Sequence, residues 1–362
     1  MKKITLILVF VVSTGFVFGQ GVNFEKLSFK EALAKAKTEN KYLFIDCYTS
    51  WCGPCKQMRE QILTQAIVGD YFNAKFVSVE YDVEKEELEL RKEFDVKVFP
   101  TYLILTPDGT LYHKLVGSSL TADDFIAKVK QGMIQENSLC FQTKLHASGK
   151  MNNEQLKNYY FLLKEIAERD RSVAVLNELA ARLSKEERMQ ADYWFLIENQ
   201  QYGDEGFLFV MENLEAIRKN VGDINIDLFL YRCFSGAIDT YLKALAEGKS
   251  IEMEKTTKIL KKLRQQLSIV DMKNKTSLLE QIDFLEAYLQ NNSGKILHAI
   301  EIMTTSKQGN LWILPQILQI VRAKKDKTLT SGVKAMKDTI LTMFSTQTDR
   351  EKFEELIDNL DK

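Results

Sequence analysis

Seven residues, Tyr42-Leu-Phe-Ile-Asp-Cys-Tyr48, form a near-continuous apolar run, and four positions later the chain reads Cys52-Gly-Pro-Cys55. A short apolar run of that kind belongs to a strand covered on both faces. Pro54 suits the first turn of a helix, because it has no amide to lose there. A buried strand that feeds straight into a helix restricts the chain to α/β layers, and the flanking sequence extends them. Ser28 and Glu31 read as a capping box opening a helix that runs to Asn40. Lys75 to Val83 predicts a second strand and Glu86 to Phe94 a short helix. Thr101–Leu105 and Leu111–Val116 flank the turn tripeptide Pro107-Asp108-Gly109 and predict a hairpin, and Thr121 caps a last helix through Met133. Parallel strands joined by helices and closed by an antiparallel hairpin make a three-layer α/β sandwich with a mixed sheet.

From about residue 138 the pattern changes. Three of the four prolines lie before it, and residues 138–362 show helical periodicity with short polar breaks such as Asn152-Asn153, Gly203-Asp204 and Asn291-Asn292. An all-helical second domain of roughly ten helices is expected. Phe161-Leu162, Phe195-Leu196 and Phe229-Leu230 recur at a spacing of 34. That is the length of a helix-turn-helix repeat, so a solenoid and a chance echo both stand as readings. Trp194 and Phe195 are read as core.

The N-terminus carries an address. Lys2 and Lys3 precede an apolar stretch from Ile4 to Phe18, with small residues at Gly19 and Gly21. This is the layout of a secretory signal peptide over residues 1–19, shorter than the about 20 apolar residues that span a bilayer, with an uncleaved anchor helix as the other reading. The mature chain is therefore expected to be exported across the inner membrane, to the periplasm. Basic and acidic side chains number 49 and 50, so no positive excess points to nucleic acid. Five cysteines at irregular spacing in 362 residues are no disulfide scaffold. A single Cys-x-x-Cys, with His113, His146 and His298 distant in sequence, gives no zinc set, and neither metal nor organic cofactor is expected.

Cys52 and Cys55 are the pair with chemistry. At a helix N-terminus unpaired amides and the macrodipole favour a thiolate, which lowers the Cys52 pKa. Two intervening residues place Cys55 one turn on, where it closes or resolves a disulfide. Gly53 permits close approach, and Trp51 shields the pair and offers an apolar face. Trp51-Cys-Gly-Pro-Cys-Lys56 resembles the active site of the thioredoxin superfamily, and three further positions match in order. Asp46 corresponds to the family's buried aspartate, implied to relay the proton of the second cysteine. Phe99-Pro100-Thr101 corresponds to its cis-proline loop, whose backbone pairs with substrate as an added strand, and Gly117 to a glycine that shapes the groove. The resemblance covers residues 24 to 134 and implies a thioredoxin-like domain there. It departs at Glu80, where many members carry a lysine paired with the aspartate; a carboxylate beside Asp46 would raise the pKa of one or both.

The resemblance implies a thiol–disulfide oxidoreductase acting on disulfide-containing proteins and fed by a membrane or periplasmic reductase. Gly-Pro between the cysteines is similar to the reducing members, which favours reduction of exported proteins. The alternative is a client-binding, chaperone-like protein whose helical domain is the main recognition surface. Cys47 should point to the opposite sheet face from Asp46 as a packed thiol. Cys140 and Cys233 are open between a disulfide and free thiols. His113 reads as a surface or edge residue, and Glu84, Glu86, Glu87 and Glu89 as a solvated helix start.

Overall fold

A computed structural model describes residues 21–306 and 310–361; the signal peptide expected over residues 1–19 lies outside them. The chain divides into two compact units, Met1–Leu183 and Ser184–Lys362.

The first unit is built on a four-stranded sheet of order β2-β1-β3-β4, formed by β1 (Tyr42–Tyr48), β2 (Phe76–Asp82), β3 (Thr101–Leu105) and β4 (Leu111–Val116). β1 runs parallel to β2 and antiparallel to β3, which pairs antiparallel with β4, so the sheet is mixed. α1 (Phe29–Glu39) opens with the Ser28–Glu31 capping box. α2 (Gly53–Gln57) continues as a π turn through Met58–Ile62, and α3 (Ala66–Lys75), α4 (Leu88–Glu93) and α5 (Ala122–Met133) complete the layers. Each sheet face has its own apolar core. Leu43, Ile45, Cys47, Val79 and Leu103 pack with Ala32 and Ala36 of α1. Phe44, Tyr102 and Ile104 pack on the other face with Met58, Phe72 and Phe125. The alternation along β1 fixes this division, because successive side chains leave a strand on opposite faces.

Three helices follow in the same unit: α6 (Leu139–Ala147), α7 (Asn153–Glu165) and α8 (Arg169–Arg182). The compact unit thus ends later than the change of sequence pattern near residue 138 suggests. α6 packs against β4 and α7 against α8, and a long-range ion pair adds to these contacts. Lys114 of β4 is only 2% exposed and its Nζ lies 2.9 Å from Glu168 Oε1 at the start of α8. His113 departs from the surface reading for a related reason. It lies on the edge strand, but the start of α6 covers it, and the Leu139 amide donates to its Nδ1 at 3.2 Å. Burial pulls its pKa down to about 4.

The second unit is helical. Short α9 (Lys185–Arg188), α10 (Glu205–Glu212) and α11 (Leu214–Val221) precede α12 (Asp223–Ala246), the longest of the set. Then come α13 (Met253–Ile269), α14 (Lys275–Leu289), α15 (Ser293–Thr305), α16 (Leu314–Lys324), α17 (Lys327–Ala335), α18 (Lys337–Leu341) and α19 (Gln347–Asp358). One apolar core runs through it from Trp194 to Leu360, with Phe234, Ile238 and Leu242 of α12 fully buried. Trp194 meets Phe229 edge-on at 5.2 Å between ring centroids, as core. The 34-residue echo does not mark equivalent positions: Phe161 is exposed on α7, Phe195 sits in a 3-10 turn, and Phe229 is buried in α12.

Candidate active site

The expected site residues converge at the end of β1. Cys52 and Cys55 are joined as a disulfide, with Cα atoms 5.3 Å apart, and both are largely buried. Cys52 is the N-cap of α2: the Cys55 amide donates to its Sγ at 3.1 Å. In the reduced protein the same geometry would direct an N–H at a thiolate, the interaction that favours its charged form. A Cβ placed on Gly53 would meet no atom within 4 Å, so the backbone between the two cysteines is uncovered at that point.

A second segment comes to the same end of the sheet, where Thr101 is the register partner of Cys47. The Phe99–Pro100 bond is cis, the Thr101 hydroxyl donates to the Val98 carbonyl at 2.7 Å, and the Gly117 amide donates to the Pro100 carbonyl at 2.8 Å. Gly117 holds φ +90°, a region that side chains with a Cβ disfavour, so glycine is required there for backbone reasons. The Ser119 amide donates to Met58 Sδ at 3.2 Å, which ties this loop to the helix carrying Cys55. Trp51 is 69% exposed, stands edge-on to Phe99 at 6.0 Å, and donates from Nε1 to Glu84 Oε2 at 2.8 Å. Arg91 pairs with Glu84 and lies over the Phe99 ring. Glu84 is therefore a partner of the site rather than part of a solvated helix start. Glu87 also has a specific task, accepting from the Phe29 amide at 2.8 Å. Neither role leaves a local sequence signal, since the partners are 33 and 58 positions away.

Asp46 is buried, 1% exposed, and its Oδ1 has no hydrogen-bond partner. Its register partners are Glu80 on one side and Tyr102 on the other. Burial first, and then Glu80, push the Asp46 carboxyl up to about 7, while the Arg59 guanidinium pulls it back. The expected carboxylate beside Asp46 is thus in place, but it has a counter-charge the sequence did not announce. Arg59 Nε lies 3.4 Å from Glu80 Oε2, close enough for an ion pair though not aligned as a hydrogen bond, and the guanidinium stacks 4.0 Å over Tyr48. Tyr48 and Arg59 also line a recess of about 370 Å³ beside Cys52, together with Lys56, Glu60, Asp82 and Lys85.

The other cysteines do not join the site. Cys47 is fully buried on the opposite face from Asp46, and burial drives its pKa far up. Cys140 and Cys233 are free thiols. Among the described residues no cluster of histidine, cysteine and acidic side chains could hold a metal ion.

A buried cysteine pair at a helix start, with a cis-proline loop brought to the same end of the sheet, is the arrangement of a thioredoxin-type thiol–disulfide site. A thioredoxin-like domain model matches residues 29–132. The chain is 34% identical over 100 residues to thioredoxin H4 of Arabidopsis thaliana, covering 27% of this chain and 76% of that one. It is 36% identical over 84 residues to the mitochondrial thioredoxin-3 of Saccharomyces cerevisiae, where it spans 23% of this chain and 61% of the relative. The solution structure of a candidate disulphide-isomerase from Bacteroides thetaiotaomicron is 43% identical, with coverage of 32% and 96% and a TM-score of 0.30. The chain belongs to the thioredoxin superfamily, and its Cys-x-x-Cys pair is the apparatus of a thiol–disulfide oxidoreductase.

Proposed function

We propose that the chain reduces disulfides in exported proteins. The observation that carries this reading is the Cys52–Cys55 bridge at the start of α2, beside which the Trp51–Phe99 contact holds the cis-Pro100 segment. In the dithiol form the Cys52 thiolate attacks one sulfur of a substrate disulfide, and that bond breaks to release a substrate thiolate. The Cys55 thiolate then attacks Cys52 Sγ, releasing the second substrate thiolate and closing the bridge. Two electrons pass to the substrate, and the thiolates it gains take up protons. Asp46, held near neutrality in its titration, suits the part of acceptor for the Cys55 proton. A reductase in the membrane or periplasm supplies two electrons to reopen the bridge. Export rests on Lys2, Lys3 and the apolar stretch Ile4–Phe18.

The test is the reduction potential of the pair, by thiol trapping in graded dithiol/disulfide buffers, with Cys47, Cys140 and Cys233 replaced. A potential below about −220 mV supports a reductant, and one near about −120 mV makes the protein an oxidant. Failure to form the bridge at any poise would leave the client-binding alternative.

A further inference from the structure

Lys114 stands where a β-hairpin normally shows water a polar face, yet it is buried and all three of its donors are used. Its Nζ donates to the Phe94 carbonyl at 3.2 Å, the Asp95 carbonyl at 2.9 Å and Glu168 Oε1 at 2.9 Å. Phe94 and Asp95 end α4 and begin the segment that leads through Val98 and Phe99 to Pro100. Glu168 is the N-terminal flank of α8, and its second oxygen lies 3.7 Å from Arg171. Arg171 in turn donates to the Thr143 hydroxyl of α6 at 2.9 Å and to the Tyr159 hydroxyl of α7. One buried ammonium thus links the approach to the cis-proline loop with all three helices that follow the sheet.

We propose that α6–α8 are a positioning element of the exchange site, with Lys114 pinning the 94–99 segment and Glu168 acting as the counter-charge that keeps Lys114 in place. A buried cation needs a counter-charge, so neutralising Glu168 leaves Lys114 driven towards water and away from the two carbonyls. The backbone ahead of Pro100 then loses two charge-assisted bonds. The inference rests on the proposed reading only in taking this loop as the substrate strand partner.

The test uses the full chain and the variants Glu168→Gln and Lys114→Met/Glu168→Met. Reduction of insulin and of hydroxyethyl disulfide is followed with dithiothreitol as reductant, together with amide hydrogen exchange over residues 94–99. Glu168→Gln should raise KM for insulin about tenfold, the factor given by 1.4 kcal/mol of lost binding. It should leave kcat/KM for the small disulfide within about twofold, since that probe needs no strand pairing. Exchange at residues 96–99 should quicken. The double variant swaps the ion pair for apolar groups and should regain thermal stability; it should keep both the raised KM and the fast exchange, because the carbonyls remain released. If the double variant recovers native KM and exchange along with stability, Lys114 and Glu168 are merely structural and the proposal falls. Unchanged exchange in Glu168→Gln also overturns it. A wild-type chain that turns over neither disulfide would defeat the functional reading, while the exchange measurement still decides on the pin.

Discussion

The two units treat buried polar atoms differently. Among the described residues, the helical unit leaves only Gln316 Oε1 buried without a hydrogen-bond partner. The first unit leaves Asp46 Oδ1, Thr49 Oγ1, Arg59 Nε, Glu80 Oε2 and Tyr102 OH in this state, on the ends of β1–β3 and the π turn beside the disulfide, with Ser78 Oγ and Gln142 Oε1 elsewhere. Arg59 Nε and Glu80 Oε2 still offset each other as an ion pair at 3.4 Å, whereas Asp46 Oδ1, Thr49 Oγ1 and Tyr102 OH each carry the about 1–3 kcal/mol that an unpartnered buried polar group costs. The helical unit, built around Phe234, Ile238 and Leu242, carries no comparable burden. The unpartnered groups of the first unit are thus concentrated beside the disulfide, between the apolar cores of the two sheet faces.

The contrast can be broken most sharply at the sulfurs. Cys52→Ser should abolish turnover of hydroxyethyl disulfide while far-ultraviolet circular dichroism stays native; residual exchange would mean that Cys55 can attack on its own. In the other unit, Phe234→Ala should cost about 3–5 kcal/mol of stability by opening a cavity, read by urea unfolding, with the potential of the Cys52–Cys55 pair unmoved. A moved potential would show that the units are not independent in this respect.

Asp46→Asn should act in the opposite sense. Because the folded pKa lies above the unfolded one, the native state holds the extra proton between about pH 4 and 7. The wild-type Asp46 contribution is therefore full below about pH 4, is lost as pH rises through about 7, and stays lost above that. At pH 8 the oxidised Asn variant should be more stable than wild type, by an amount on the order of a few kcal/mol. Denaturation midpoints that diverge towards low pH instead would reverse the assignment. The smallest effect belongs to the counter-charge. Arg59→Ala should raise the Asp46 titration midpoint, and Glu80→Lys should lower it, as followed by carboxyl carbon NMR. Equal midpoints in all three proteins would remove the Glu80–Arg59 pair from the electrostatics of the site.

Much of this was legible from local chemistry. The apolar run gave β1 its observed limits and Pro107-Asp108-Gly109 gave the hairpin, while Pro100 carries a cis bond and Gly117 a positive φ. What escaped depends on groups brought together from far along the chain. Arg59 follows Cys55 by one helical turn and reads as a solvated surface residue until Glu80 appears across from it on β2. Lys114 is indistinguishable from any edge-strand lysine without Glu168, 54 positions later. His113 is buried by a helix start whose sequence says nothing of a strand. Strand limits follow from side-chain period and turn residues, whereas ion pairs and covered edges follow from packing.

The segment just after residue 20 has a mechanical consequence. The Val22 amide donates to the Leu63 carbonyl at 2.7 Å, the Glu25 amide to the Ser78 carbonyl at 2.8 Å, and Phe24 bridges to Ser78 in parallel register. Gly21 passes so close to Leu63 and Thr64 that an added Cβ would lie 2.4 Å from their backbone atoms. Tension applied at residue 21 would load those bonds and reach Leu63, where the helix begun at Cys52 ends. A tether at residue 21 is thus a handle on the redox helix, and pulling experiments from that point would report on the disulfide's own support.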